Sequence, residues 1–149
     1  MTSFRYLCTK LAFILFFLSC SSIVIAQAPD NIYANNIKTV RYHNYGDQLS
    51  LPVINLNSND LTELHFDDME VSVKNYYYTF QLCNEDWKPV NLSQFDYIKG
   101  YTQMRINNYR FSSIAYTRYT HYQAVIPDKN CIPTRSGNYL LKIFLDGDT

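Results

Sequence analysis

Glycine is scarce, with four in 149 residues. A loop that cradles phosphates needs several, because only glycine lets successive backbone N–H groups close on an anion. A nucleotide site of that kind is therefore excluded. Nucleophile signatures are missing too: there is no G-x-S-x-G and no S-x-x-K. The three histidines, His43, His65 and His121, have no second His or Cys at the short spacing of a local metal motif, so no metal and no cofactor are expected. Four cysteines are too few for a disulfide-dense scaffold. Neither sign of charge dominates: 13 basic residues stand against 13 acidic ones. A chain without a basic stripe lacks the electrostatic footprint of a nucleic-acid binder. Cys83 with His121 is the one dyad that can be drawn, and a strand cysteine following three tyrosines reads first as packing. No catalytic residue is expected, and no small-molecule substrate.

The N-terminus reads as an address. Arg5 and Lys10 form a basic region and Leu11 to Leu18 an uncharged apolar one. Val24 and Ala26 stand at the minus-three and minus-one places of a cleavage site before Gln27. That is the pattern of a secretory signal peptide covering residues 1–26. The run from Leu11 to Ala26 is 16 residues, interrupted at Ser19 to Ser22, and a spanning helix needs about 20. Cys20 as an acylated lipoprotein residue fits less well, because its leucine stands one place off. With Arg5 and Lys10 removed, 11 basic residues face 13 acidic ones, a net charge of −2. Cys83 and Cys131 are then the two remaining cysteines. They can pair in an oxidising compartment, but an obligatory disulfide is not expected.

What is abundant is aromatic. Past residue 26 there are 13 tyrosines, five phenylalanines and one tryptophan. Tyrosine favours strands because its ring fits a pleated, half-buried surface while its hydroxyl reaches water or a partner. No segment beyond the leader sustains a 3.6-residue period. Residues 27–35 read as a flexible leader, and 36–149 as one domain. Alternation predicts strands at 36–42, 51–56, 61–66, 75–83, 109–112, 118–126 and 138–145. Pro52 places the second of these at an edge or a strand start. Asp67-Asp68 and Glu85-Asp86 read as solvated turn residues. In the strongest strand, Tyr76, Tyr78, Phe80 and Leu82 share the core face. In the last, Tyr139, Leu141, Ile143 and Leu145 do. Leu92, Phe95 and Ile98 recur every three residues, which predicts a short 3₁₀ turn in an otherwise unreadable stretch from Asn84 to Tyr109. About seven strands at this spacing predict an all-β, immunoglobulin-like or fibronectin-like antiparallel sandwich. The chain stops at Asp146-Gly147-Asp148-Thr149, a hairpin signal without a returning strand. That reads as an N-terminal fragment of a longer protein, without its last strand or strands.

Trp87 has two readings. A lone tryptophan in a small sandwich covers one end of the core. Exposed together with Tyr77 and Tyr101, it would be a stacking surface for sugars or a partner protein, and the domain a carbohydrate-binding or sensor module.

Several segments, in order, resemble a known family. Tyr76-Tyr77-Tyr78-Thr79-Phe80-Gln81-Leu82-Cys83-Asn84-Glu85-Asp86-Trp87 joins a tyrosine strand, a cysteine and an acidic-Trp pair. Leu61 to Asp68 precedes it, and Tyr119-Thr120-His121-Tyr122 and Ser136 to Asp148 follow; Asn36 to Val40 and Leu51 to Ile54 fit at the start. Together they are similar to the N-terminal domain of the type IX secretion system plug family of Bacteroidota. The resemblance implies a non-enzymatic protein, exported to the periplasm and associated with the outer membrane. Its implied partner is the translocon β-barrel, which the plug closes when idle.

Overall fold

The computed structural model describes residues 30–114 and 116–146. The signal peptide, its cleavage site at Ala26 and Gln27, and the terminal Gly147-Asp148-Thr149 lie outside the described residues. Among the described residues nine strands form: β1 (Ile37–Asn44), β2 (Thr62–Asp68), β3 (Tyr76–Cys83), β4 (Ile98–Gly100), β5 (Gln103–Arg105), β6 (Asn108–Phe111), β7 (Thr120–Ile126), β8 (Cys131–Pro133) and β9 (Asn138–Leu145). One 3₁₀ turn, Gln94–Asp96, falls inside the three-residue repeat. Among the described residues no helix is long and apolar enough to cross a membrane.

All strand pairs are antiparallel. One sheet has the order β1-β2-β7-β6, a second β5-β3-β9, and a two-stranded piece joins β4 to β8. The four-stranded and three-stranded sheets pack face to face. Alternation decides which side chains meet: Leu64 and Phe66 of β2 and Tyr122 of β7 face Tyr76, Tyr78, Phe80 and Leu82 of β3. At the centre Tyr76 sets its ring edge-on to Phe66 at 5.0 Å and to Tyr122 at 4.8 Å, while Phe66 and Tyr122 stack at 5.1 Å. Edge-to-face pairs of this kind add about 0.5–1.5 kcal/mol each beyond the area they bury. Tyr139, Leu141, Ile143 and Leu145 of β9 complete that face from the second sheet. The all-β antiparallel sandwich is thus the fold, with the core faces of β3 and β9 as the alternation predicts.

Three local readings change. Residues 51–56 form no strand. Pro52 has no N–H to give, the Val53 amide bonds the Asn44 side chain instead, and Leu51 and Val53 stand in solvent. Asp67 and Asp68 do not form a solvated turn; they lie inside β2, and Asp68 is fully buried. Three strands, β4, β5 and β8, were not expected. Each is three residues long, too short to show a period. At Gly100 the reason for glycine is plain: φ is +95°, and a Cβ there would sit 2.2 Å from the Asn130 carbonyl oxygen.

Candidate functional site

β2 carries two different polar arrays on its two faces. Thr62, Leu64, Phe66 and Asp68 point inward, and Glu63, His65 and Asp67 point outward.

On the inner face Asp68 takes every donor in reach. Asn36 Nδ2 bonds Oδ1 at 2.7 Å and the Glu70 amide bonds the same oxygen at 2.9 Å. The Tyr76 hydroxyl bonds Oδ2 at 2.8 Å, and Lys74 Nζ stands 2.9 Å from it. Burial alone would raise the Asp68 pKa, but Lys74, Asn36, the Glu70 amide and Tyr76 together hold it below the usual carboxylate value. Tyr76, buried and facing that carboxylate, is pushed far up and stays protonated as the donor. The Tyr122 hydroxyl, also buried, accepts from the Lys74 amide at 2.8 Å and donates to the Lys74 carbonyl at 3.3 Å. The array ties the β2–β3 connection to both sheets.

On the outer face a bulge sets the composition. Lys38 pairs with Asp67 but Arg41 pairs with His65, so β1 carries one extra residue between them, with Thr39 at φ +55°. The extra residue restores parity. Arg41 and His43 therefore share the outward face with Glu63 and His65, while Tyr42 faces Leu64. From the other side β7 sets His121 opposite Asp67 and Gln123 opposite His65. Three histidines from three strands end in a row: His43 stacks on His65 at 5.6 Å and His65 lies 5.4 Å from His121. They line a pocket of about 400 Å³ together with Thr39, Arg41, Gln48, Asp67, Arg110 and Tyr119.

The partners of His121 and His43 show which of their nitrogens carry protons. A carboxylate and a carbonyl only accept. His121 Nδ1, 2.6 Å from Asp67 Oδ1, therefore donates, and so does His43 Nδ1, 3.0 Å from the Asn44 carbonyl. A neutral His121 then has a bare Nε2, which accepts from His65 Nδ1 at 3.2 Å. Glu63 accepts from Gln123 Nε2. His43 Nε2 is left buried without a partner. Local spacing could not reveal this cluster, because β1, β2 and β7 assemble it across the sheet.

The aromatic candidates are not gathered into one surface. Tyr77 lies on the outward side of β3, stacked on Phe144 of β9 at 6.1 Å. Trp87 is half-buried in a turn beyond the other end of that strand, at φ +60°, where the Asn84 side chain receives the Asp86 and Lys88 amides. From Tyr77 to Cys83 alone β3 spans about 20 Å at the rise of an extended strand. Tyr101 follows β4 and is 67 % exposed. Cys83 and Cys131 are both buried free thiols. Burial pushes the Cys83 thiol up, and the Cys131 thiol up to about 11, so neither is poised as a nucleophile at neutral pH.

Comparison with known proteins gives matches of two kinds, to a family model and to solved structures. No curated protein matches the chain. The crystal structure of a hypothetical protein from Parabacteroides merdae is similar, with a TM-score of 0.71 and 28% sequence identity over 75% of this chain. This chain spans 28% of that protein's length. The family model of the type 9 secretion system plug protein first domain matches residues 37–149, from the first residue of β1 onward. The chain belongs to that family, the first domains of type 9 secretion system plug proteins, which ties it to type IX secretion.

Proposed function

We propose that the chain is the binding part of a plug: a non-enzymatic domain that docks on the type IX translocon barrel of the outer membrane and helps close the idle channel from the periplasmic side. The observation that carries this reading is family membership over residues 37–149. The exposed apolar side chains of the loop between β1 and β2 suit a protein surface. Tyr45, Leu49, Leu51 and Val53 are 59, 98, 71 and 66 % exposed, and such residues gain most from burial against a partner. The carbohydrate reading draws no such support, since Trp87 and Tyr77 lie at opposite ends of β3.

Export follows from the leader. In this proposal residues 1–26 are removed, Gln27 becomes the first residue, and residues 36–149 fold as the first domain of a longer protein. Intact-mass measurement of the periplasmic species checks the cleavage; a species retaining residues 1–26, or a lipid on Cys20, contradicts it. Affinity purification of the full-length protein from its own envelope tests the function. Recovery of an outer-membrane β-barrel, with a more permeable outer membrane when the protein is deleted, is the expected result. Recovery of no barrel together with unchanged permeability overturns the reading.

A further inference from the structure

The protonation pattern of the outer face leaves one conflict. With all three rings neutral, His65 gives its Nδ1 proton to His121 and presents a bare Nε2. That nitrogen faces Glu63 Oε1 at 3.4 Å, and Glu63 already accepts from Gln123. Two acceptors thus face each other. A third bare nitrogen, His43 Nε2, is buried beside them without a partner. His43 is only 3 % exposed. One donor atom each from His43, Glu63 and His65 lie within 4.8 Å of one another.

A proton added to His65 or to His121 would settle the contact with Glu63 and leave His43 Nε2 unpaired. One cation settles all three. We propose that His43, Glu63 and His65 are the ligands of a first-row divalent transition ion, zinc being the best fit, held through Nε2 of each histidine and a Glu63 carboxylate oxygen. The separation agrees. Ligand atoms about 2.0–2.1 Å from a tetrahedral zinc stand about 3.3 Å apart, and His65 Nε2 to Glu63 Oε1 is 3.4 Å. The His43 ring has to close toward the other two ligands to reach the same geometry.

The supporting shell is complete. Each ligand histidine has its Nδ1 proton engaged, His43 by the Asn44 carbonyl and His65 by His121, which Asp67 orients in turn. Gln123 fixes Glu63. Ligand histidines usually have their second nitrogen held in this way, because it fixes the tautomer and raises the basicity of the first. Three protein ligands leave a fourth position facing the pocket. Arg41 and Arg110 line that pocket; their charge favours an anionic fourth ligand such as a carboxylate.

The test uses the untagged chain freed of metal by a chelator. Titration with Zn²⁺ against a chromophoric competitor should give one site per chain, and Co²⁺ should give the intense visible absorption of four-coordinate cobalt. Glu63→Gln and His65→Gln should each weaken zinc binding at least tenfold. His121→Gln, which removes only the support of His65, should weaken it about 10–100-fold while keeping the cobalt spectrum. Circular dichroism checks that each variant is folded; a variant that is not folded is replaced by Gln123→Leu, which leaves every ligand in place and unfastens Glu63. Folded wild-type protein that takes up no zinc, with nitrogen NMR showing His65 protonated on both ring atoms, overturns the proposal. So do several equivalents bound equally by wild type and variants.

Discussion

The two faces of β2 differ in how they settle their polar atoms. On the inner face a carboxylate with no solvent contact collects four donors, from Asn36, the Glu70 amide, Lys74 and Tyr76. On the outer face His43 is buried and Glu63, His65, Asp67 and His121 are partly exposed, and their hydrogen bonds run out before their lone pairs do. A polar group that costs desolvation and has all its partners is a structural fixture. One that costs desolvation and lacks a partner points to something that arrives from outside. The contrast assigns the inner array to folding and the outer array to binding.

The largest expected effect is on the inner face. Asp68→Ala leaves Lys74, Tyr76 and Asn36 facing a hole, and breaking a buried charged array of this kind costs about 3–5 kcal/mol. Urea unfolding measures it directly, and a loss under about 1 kcal/mol would remove the structural assignment. Acid should act through the same group. The folded Asp68 pKa lies below the unfolded one, about 3.9. Its contribution is therefore fully present above that unfolded value and fades as pH falls through the lowered folded one. Unfolding midpoints followed from pH 6 downward should fall more steeply for the wild type than for Asp68→Asn. Parallel curves would show that another group governs acid sensitivity.

Tyr122→Phe comes next. It keeps the stacked ring but strands the amide and carbonyl of Lys74, a loss of about 1–3 kcal/mol. Exchange of the Lys74 amide hydrogen should accelerate with it. The smallest effect belongs to the outer face: without metal, His65→Gln should shift stability by less than about 1 kcal/mol, because the glutamine amide still offers a donor toward Glu63 and His121. A loss as large as that of Asp68→Ala would make the outer array structural too and erase the contrast.

The parts of the fold legible in the sequence are those where one strand speaks for itself. Tyr76 to Cys83 alternates over eight residues, and the side that reads as apolar is the side that is buried. In Asn138 to Leu145 the side that reads as apolar, Tyr139, Leu141, Ile143 and Leu145, is the side that packs on the core, although only partly buried. Leu51 to Leu56 alternates almost as well and is no strand. There the pattern serves an exposed loop, and nothing local separates apolar residues meant for the core from apolar residues left outside. Asp67-Asp68 misled in the opposite direction, because two carboxylates in sequence look like a turn when their donors, Asn36 and Lys74, are out of view. The histidine array was further from reach. His65 and His121 are 56 positions apart, and His43 joins them only because a one-residue bulge at Thr39 corrects the parity of β1. Period and spacing see neither a bulge nor a register.

Thermal unfolding with and without zinc tests this assignment of the two faces most directly. A ligand that binds only the folded state raises stability by an amount set by its concentration over its dissociation constant, about 2.7 kcal/mol at a hundredfold excess over that constant. Zinc should raise the Tm of the wild type and of Tyr122→Phe by similar amounts, although the latter starts lower, and should raise that of His65→Gln by clearly less. An unchanged wild-type Tm, or an equal rise in all three proteins, would contradict it.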